Sequence, residues 1–152
     1  MKKNKLYFVI GIIVIAILSR LIPHPPNFTP ITAVALFSII NFKNKYIGLA
    51  IPLICLIISD LILGISLINL FLYLSFILIS GIGLIFGKIN FKSILISSLI
   101  FFVVSNFGVW IIGYPKTFEG FITCYIAAIP FLRESYFLFI QIRFFNNFIF
   151  KI

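Results

Sequence analysis

The feature that most constrains this chain is the apolar run between Lys45 and Lys88, in which Asp60 is the only charged residue. The run holds about 42 residues and would form about 63 Å of helix, enough for two spans of ~30 Å. It therefore predicts two membrane helices joined by a turn near residues 66–69. Barrel strands are excluded because they alternate in hydropathy over about ten residues, and this run does not.

The rest of the chain has the same character. Hydrophobic residues make up 62% of the 152 residues and charged residues 10%, which is typical of an integral membrane protein. The length predicts a single domain, 1–152. The first apolar run leads into Ser19 and Arg20 and not into a cleavage site, so we expect it to remain as a helix. The predicted fold is an all-α polytopic membrane bundle of about six segments, at residues 6–22, 30–42, 46–66, 69–87, 93–114 and 120–150.

The basic residues predict the orientation of this bundle. The net charge is +9, but the lysines lie at the ends of apolar segments and do not form a patch that would bind nucleic acid. With six crossings most of them fall on one side, which the positive-inside rule assigns to the cytoplasm. We therefore expect a multi-pass protein of the cytoplasmic membrane with both termini cytoplasmic and the Pro-rich loop at residues 23–30 outside.

The second segment is too short to cross a bilayer. Thr29 suits an N-cap and Pro30 the first helical position, so a helix is predicted from Pro30 to about Phe42. Such a helix is only ~20 Å long. The preceding PHPPNF sequence, which contains His24 and Asn27, is expected to form a re-entrant loop that dips in from outside and meets this half-helix.

Three polar side chains fall at one predicted depth. Asp60 lies among apolar residues, where an unpaired carboxylate costs at least ~2.5–3.5 kcal/mol. Asp60 and Asn106 lie about 20 Å from the cytoplasmic ends of their segments, and Arg20 ends the first helix on the outer side. Arg20 or Asn106 is therefore the expected partner of Asp60. The group either binds a solute or ion in an outward pocket, or serves only to lock helices together.

The other candidate residues are less specific. His24 is either a structural hydrogen-bonding group of the loop or a ligand contact. Trp110 lies near the outer interface, where it fits an aromatic belt or covers the mouth of a pocket. Cys55 and Cys124 fall at different depths and are expected to be buried packing residues, not a disulfide. No cofactor or metal site is predicted, and no catalytic motif occurs, so we do not expect an enzyme.

Several segments of the chain resemble an uncharacterised family of small bacterial integral membrane proteins, a domain of unknown function. They are RLIPHPPNFTP at 20–30, AVALF at 33–37, SDLILG at 59–64, NFGVW at 106–110 and CYIAAIPF at 124–131. The R-x-x-P-H-P-P-N-F-T-P signature is the specific element, whereas residues 132–150 depart from the pattern. The resemblance implies a bacterial inner membrane protein. More distantly, such proteins resemble the S components of energy-coupling-factor vitamin transporters, which implies six helices, cytoplasmic termini and an outward substrate pocket.

Two functions are consistent with these features. The first is a small-solute-binding membrane transport protein of the S-component type. Its solute contacts would come from His24, Asn27, Asp60, Asn106, Trp110 and Arg20. The expected partners are the lipid bilayer, a small polar or anionic solute and an energising membrane protein, because the chain has no nucleotide-binding motif. The alternative is a scaffold or assembly subunit without a ligand, for which Gly83–Gly87 offers a helix-packing face.

Overall fold

The computed structural model describes residues 3–21 and 31–130. These residues form six α-helices and no strand, which confirms the all-α class for this part of the chain. The helices are α1 Lys3–Leu21, α2 Ile31–Asn41, α3 Lys45–Leu63, α4 Ile68–Phe86, α5 Phe91–Gly113 and α6 Phe118–Pro130. The predicted re-entrant loop with His24 and Asn27, and the last part of the sixth predicted segment, lie outside the described residues.

Three helices are long and apolar enough to cross a membrane: α3, α4 and α5, with 19, 19 and 23 residues. This indicates membrane association, and the run between Lys45 and Lys88 forms two helices that are each long and apolar enough to span, as predicted. The turn between them is Gly64–Leu67, slightly earlier than predicted. Gly64 ends α3 with a φ of 104°, which glycine adopts without strain, and Asn69 already lies in the first turn of α4. Six crossings stay a prediction.

The short helix α2 lies at the centre of the fold. Its 11 described residues span only about 16 Å, and it ends one residue before the predicted Phe42. It packs between α3 and α4, with Ile31, Ala35 and Leu36 at 0% exposure. A helix that is apolar on almost every side is expected in such a place, because all of its faces meet protein.

Polar contacts close the connections at one end of the bundle, which we call the basic end. Asn44 caps α3 by accepting a hydrogen bond from the backbone N–H two residues on, at 2.9 Å. Lys45 Nζ donates to the carbonyl oxygen of Ile39 at 2.7 Å, where α2 ends with unpaired carbonyl groups. Asn90 and Ser93 form a capping box at the start of α5. These caps explain why short connections suffice between helices at this end.

The directions of the helices decide which polar residues can meet. Cys55 Sγ lies 4.0 Å from the carbonyl oxygen of Ile13, and further along both helices Arg20 reaches Ser59, so α1 and α3 run parallel. The pairs α3–α4, α4–α5 and α5–α6 are antiparallel. The end of α1, the Gly64–Leu67 turn and the α5–α6 turn therefore lie together, at what we call the Arg20 end.

The predicted packing face at Gly83–Gly87 is used inside the bundle. A Cβ at Gly83 would overlap the side chain of Ile39 on α2, so the glycine permits close approach of α2 and α4. Gly87 instead ends α4 in the left-handed region, at φ 61°, and its N–H donates to the Gly83 carbonyl oxygen at 3.0 Å. The spacing thus reflects one internal contact and one helix stop, so the predicted helix-packing face contacts α2 within the bundle at Gly83.

Candidate functional site

Arg20 and Asp60 form an ion pair near the end of α1 and α3. Arg20 Nη1 lies 2.8 Å from Asp60 Oδ1. The parallel packing of α1 and α3 brings the two residues together, since each lies close to the same end of its helix. The expected pairing of Asp60 with Arg20 is therefore confirmed.

Two hydroxyl groups complete the bonding of this pair. Arg20 Nη1 also donates to Ser59 Oγ at 2.7 Å, and Tyr73 on α4 donates its O–H to Asp60 Oδ2 at 2.7 Å. We name Arg20, Ser59, Asp60 and Tyr73 the Arg20 cluster. The cluster joins three helices, and each oxygen of the Asp60 carboxylate has its own partner.

Tyr73 was missed by the sequence reasoning. The sequence did contain a sign of this contact. Asp60 and Tyr73 lie at similar distances on either side of the Gly64–Leu67 turn, and two antiparallel helices place such residues at the same height in the bundle. That symmetry identifies a partner only when the turn is placed correctly and the facing sides of both helices are known. The residue type did not identify Tyr73 as a partner of Asp60, because the chain is rich in aromatic residues.

The two charged side chains differ in exposure. The Asp60 side chain is 2% exposed and the Arg20 side chain 13% exposed. An unpaired carboxylate in an apolar bundle would be strongly unfavourable, so the ion pair and the Tyr73 hydrogen bond account for the burial of Asp60. Tyr73 is also partly exposed, whereas Ser59 is fully buried. The Arg20 guanidinium, held in a fixed orientation, can bind a carboxylate or phosphate group.

Asn106 does not bond to the cluster in the described structure. Its Nδ2 donates to the carbonyl oxygen of Phe102 at 2.7 Å, one turn earlier in α5. Its own backbone carbonyl accepts a contact from Cys124 Sγ at 3.5 Å. The expectation that Asn106 could partner Asp60 is wrong, because α5 packs mainly against α4 and not against α3. Similar depth was not enough to bring the two residues together.

Trp110 closes the turn between α5 and α6. Its ring lies 5.5 Å from that of Phe107 and 5.4 Å from that of Phe121, measured between centroids. Its Nε1 donates to the Pro115 carbonyl oxygen at 3.1 Å, and the Lys116 ammonium group lies 5.8 Å from the ring centroid. Trp110 is therefore at the Arg20 end, and its outer position and its role over a pocket stay predictions.

Two buried polar atoms of the described residues have no hydrogen-bond partner: Asn69 Nδ2 and Ser97 Oγ. Asn69 is 6% exposed and lies in the first turn of α4, at the Arg20 end. Ser97 lies on α5, six residues from its start and closer to the basic end. A buried donor without an acceptor costs ~1–3 kcal/mol, so such an atom calls for an explanation. Sequence reasoning placed Asn69 in a turn and gave it no role.

Cofactor chemistry has no positive support in the described residues. No group of three or more His, Cys, Asp or Glu side chains there could hold a metal ion. Cys55 and Cys124 are buried free thiols on α3 and α6, which confirms their expected packing role. Within the described part of the chain, anion binding by Arg20 is the chemistry that the cluster supports best.

Comparison with known proteins identifies a family but no activity. The model of a family of unknown function, DUF6580, matches residues 1–150. The match includes residues 132–150, which depart from the sequence pattern that the resemblance to an uncharacterised family led us to expect. No curated protein and no solved structure matches the chain significantly.

Proposed function

This chain belongs to DUF6580, a family of unknown function, and we propose from the geometry of the chain itself that it is a small-solute-binding membrane transport protein. The solute is a small polar or anionic molecule that binds at the Arg20 end. The observation that carries the proposal is the oriented guanidinium of Arg20, a side chain 13% exposed at the end of an apolar bundle. No enzymatic step is part of the proposal.

The bonding of Arg20 suits an anionic ligand. A guanidinium carries five N–H donors in a planar fork. Arg20 holds Asp60 and Ser59 through Nη1, which fixes the side chain. With respect to the described residues, this leaves the Nε and Nη2 donors of the fork suited to a carboxylate or phosphate. Preorganisation of this kind reduces the entropy lost when a ligand binds.

The position of α2 supports the same charge preference. The C-terminal end of α2 lies at the basic end, where Lys45 bonds to Ile39, so the N-terminal end of α2 points toward the Arg20 end. The N-terminus of a helix carries a partial positive charge that favours anions. We include His24 and Asn27, which lie between α1 and α2 in the sequence, together with Asn106 and Trp110, as further solute contacts in this proposal.

Active uptake would need a second component. The chain contains no phosphate-binding loop, so nucleotide hydrolysis would have to come from an energising membrane partner, or an ion gradient would have to drive transport. This division of labour is the one found in S components of energy-coupling-factor transporters, and their likeness to this chain is part of the proposal. Under it the protein crosses the bacterial inner membrane six times.

Labelling from outside the cell tests the proposed orientation. We expect Glu119→Cys, at an exposed position in the first turn of α6, to react with an impermeant maleimide on intact cells, because the Arg20 end is proposed to face outward. Lys88→Cys, at the exposed basic end, should react only after permeabilisation. Both variants are made with Cys55 and Cys124 replaced by serine. The reverse pattern would overturn the orientation, and outside labelling of both would contradict a crossing by α5.

Solute-dependent stabilisation tests the function. We expect at least one member of a panel of vitamins, nucleobases and organic anions to raise the unfolding temperature of the purified protein. A solute at 100 times its Kd stabilises by ~2.7 kcal/mol. Arg20→Lys retains the charge but loses the planar fork, so the protection should be lost.

Lys116→Gln is the matched control for the solute test. Lys116 is also a cation at the Arg20 end, but its ammonium group caps α5 by donating to the Trp110 and Ile111 carbonyl oxygens. Protection should survive in this variant if Arg20 binds the solute specifically. Equal loss in both variants would show general charge attraction, and a panel without any protective solute would contradict the proposed function.

A scaffold subunit without a ligand is the second candidate. It is favoured by one observation, namely that both oxygens of the Asp60 carboxylate already have partners within the bundle. A cluster that only locks three helices together would need no ligand. In that case no solute should protect the protein, and gentle purification should instead retain a partner membrane protein.

A further inference from the structure

Asn69 is the residue of the Arg20 end whose bonding the fold leaves incomplete. Its Oδ1 accepts a hydrogen bond from Ser66 Oγ at 3.3 Å, whereas its Nδ2 has no acceptor among the described residues. Asn69 is nevertheless buried, with an exposure of only 6%. The described part of the fold therefore contains a desolvated amide donor to which it supplies no hydrogen-bond acceptor.

The position of Asn69 relates it to the Arg20 cluster. Asn69 and Tyr73 are four residues apart on α4, so their side chains lie on the same face, separated by about one helical turn. Tyr73 bonds directly to Asp60, which pairs with Arg20. Asn69 is thus the next polar residue on the cluster's face of α4, one turn closer to the start of the helix.

We propose that Asn69 is a solute-contacting residue of this site, with Nδ2 donating to an oxygen of the solute whose anionic group binds Arg20. The inference rests on the proposed function and makes its substrate class specific. The preferred solute is an organic anion that carries a second hydrogen-bond-accepting oxygen in addition to its charged group. Dicarboxylates and anions with a terminal carboxyl or phosphate oxygen belong to this class.

Glutarate and pentanoate are suitable probes, because they share a five-carbon chain and one carboxylate and differ in a second carboxylate. We expect glutarate to bind the wild-type protein about five-fold more tightly than pentanoate, as one additional hydrogen bond predicts. Asn69→Leu should remove that preference. In the absence of solute, the same variant should unfold at a temperature equal to or above that of the wild type, because it removes an unsatisfied buried donor.

Ser97→Ala is the matched control. It removes the other unpartnered buried polar atom, at a position nearer the basic end, so the preference for glutarate should remain intact. Destabilisation of the solute-free protein by Asn69→Leu would show a structural role and overturn the inference.

The outcomes separate this inference from the proposed function. If a solute of the panel protects the wild type and requires Arg20, but Asn69→Leu leaves the preference between the two probes unchanged, the function stands and the role of Asn69 falls. If neither glutarate nor pentanoate protects the wild type, the assigned solute class is wrong. If no solute of the panel protects it, the function and the inference fall together.

Discussion

Replacing Arg20 with leucine is expected to lower the free energy of unfolding by about 3–5 kcal/mol, since the change leaves the Asp60 carboxylate buried without its counter-ion. Asp60 has a side chain that is only 2% exposed, so water cannot replace the guanidinium. Tyr73 would still donate to Oδ2, but a neutral hydroxyl does not compensate a buried charge. The measurement is SDS-induced unfolding in mixed micelles.

The double variant Arg20→Leu with Asp60→Leu is the control for this prediction. Removing both charges leaves no uncompensated ion, so its loss of stability should be well below the sum of the two single losses. A double-mutant cycle with a coupling energy near zero would show that the pair contributes nothing to stability. The same double variant should no longer be stabilised by any solute. Retained stability together with lost solute binding would separate the structural role of the cluster from its binding role.

Gly48→Ala is expected to destabilise by about 1–3 kcal/mol, because it overpacks the contact between α2 and α3. A Cβ at Gly48 would lie 2.8 Å from the Ser38 carbonyl oxygen and 2.9 Å from Ile39 Cα. Both are backbone atoms of the central helix and cannot rotate away. Ser38 Oγ also donates to the Gly48 carbonyl oxygen at 2.7 Å, so separating the helices would break that hydrogen bond. The same unfolding assay measures the effect.

Gly81→Ala is the matched control for Gly48→Ala. Gly81 also lies within a helix, α4, but a Cβ there would meet nothing within 4 Å. Alanine should therefore be neutral or should stabilise by up to ~1 kcal/mol through its helix propensity. A loss of stability of similar size at both positions would show that close packing at Gly48 is not the cause.

Several features of the fold were predictable from residues that are neighbours in sequence. The run between Lys45 and Lys88 predicts two spans because a continuous apolar stretch can be tested against bilayer thickness alone. The short helix ending near Phe42 was predicted from Thr29, which suits an N-cap, and Pro30, which suits the first helical position. The burial of Asp60 together with a compensating cation was expected from the energy of a carboxylate in an apolar environment.

The sequence by itself determined the helical class, the short second helix and the need of Asp60 for a partner, because each follows from local composition and the cost of burying charge. Only the tertiary structure decided which side chains meet. Arg20 reaches Asp60 because α1 and α3 pack in parallel, and Tyr73 joins them because the turn begins at Gly64. Asn106 bonds to its own helix because α5 lies against α4. Depth along a helix can be counted from the sequence, but the direction in which a side chain faces depends on which neighbour the helix packs against.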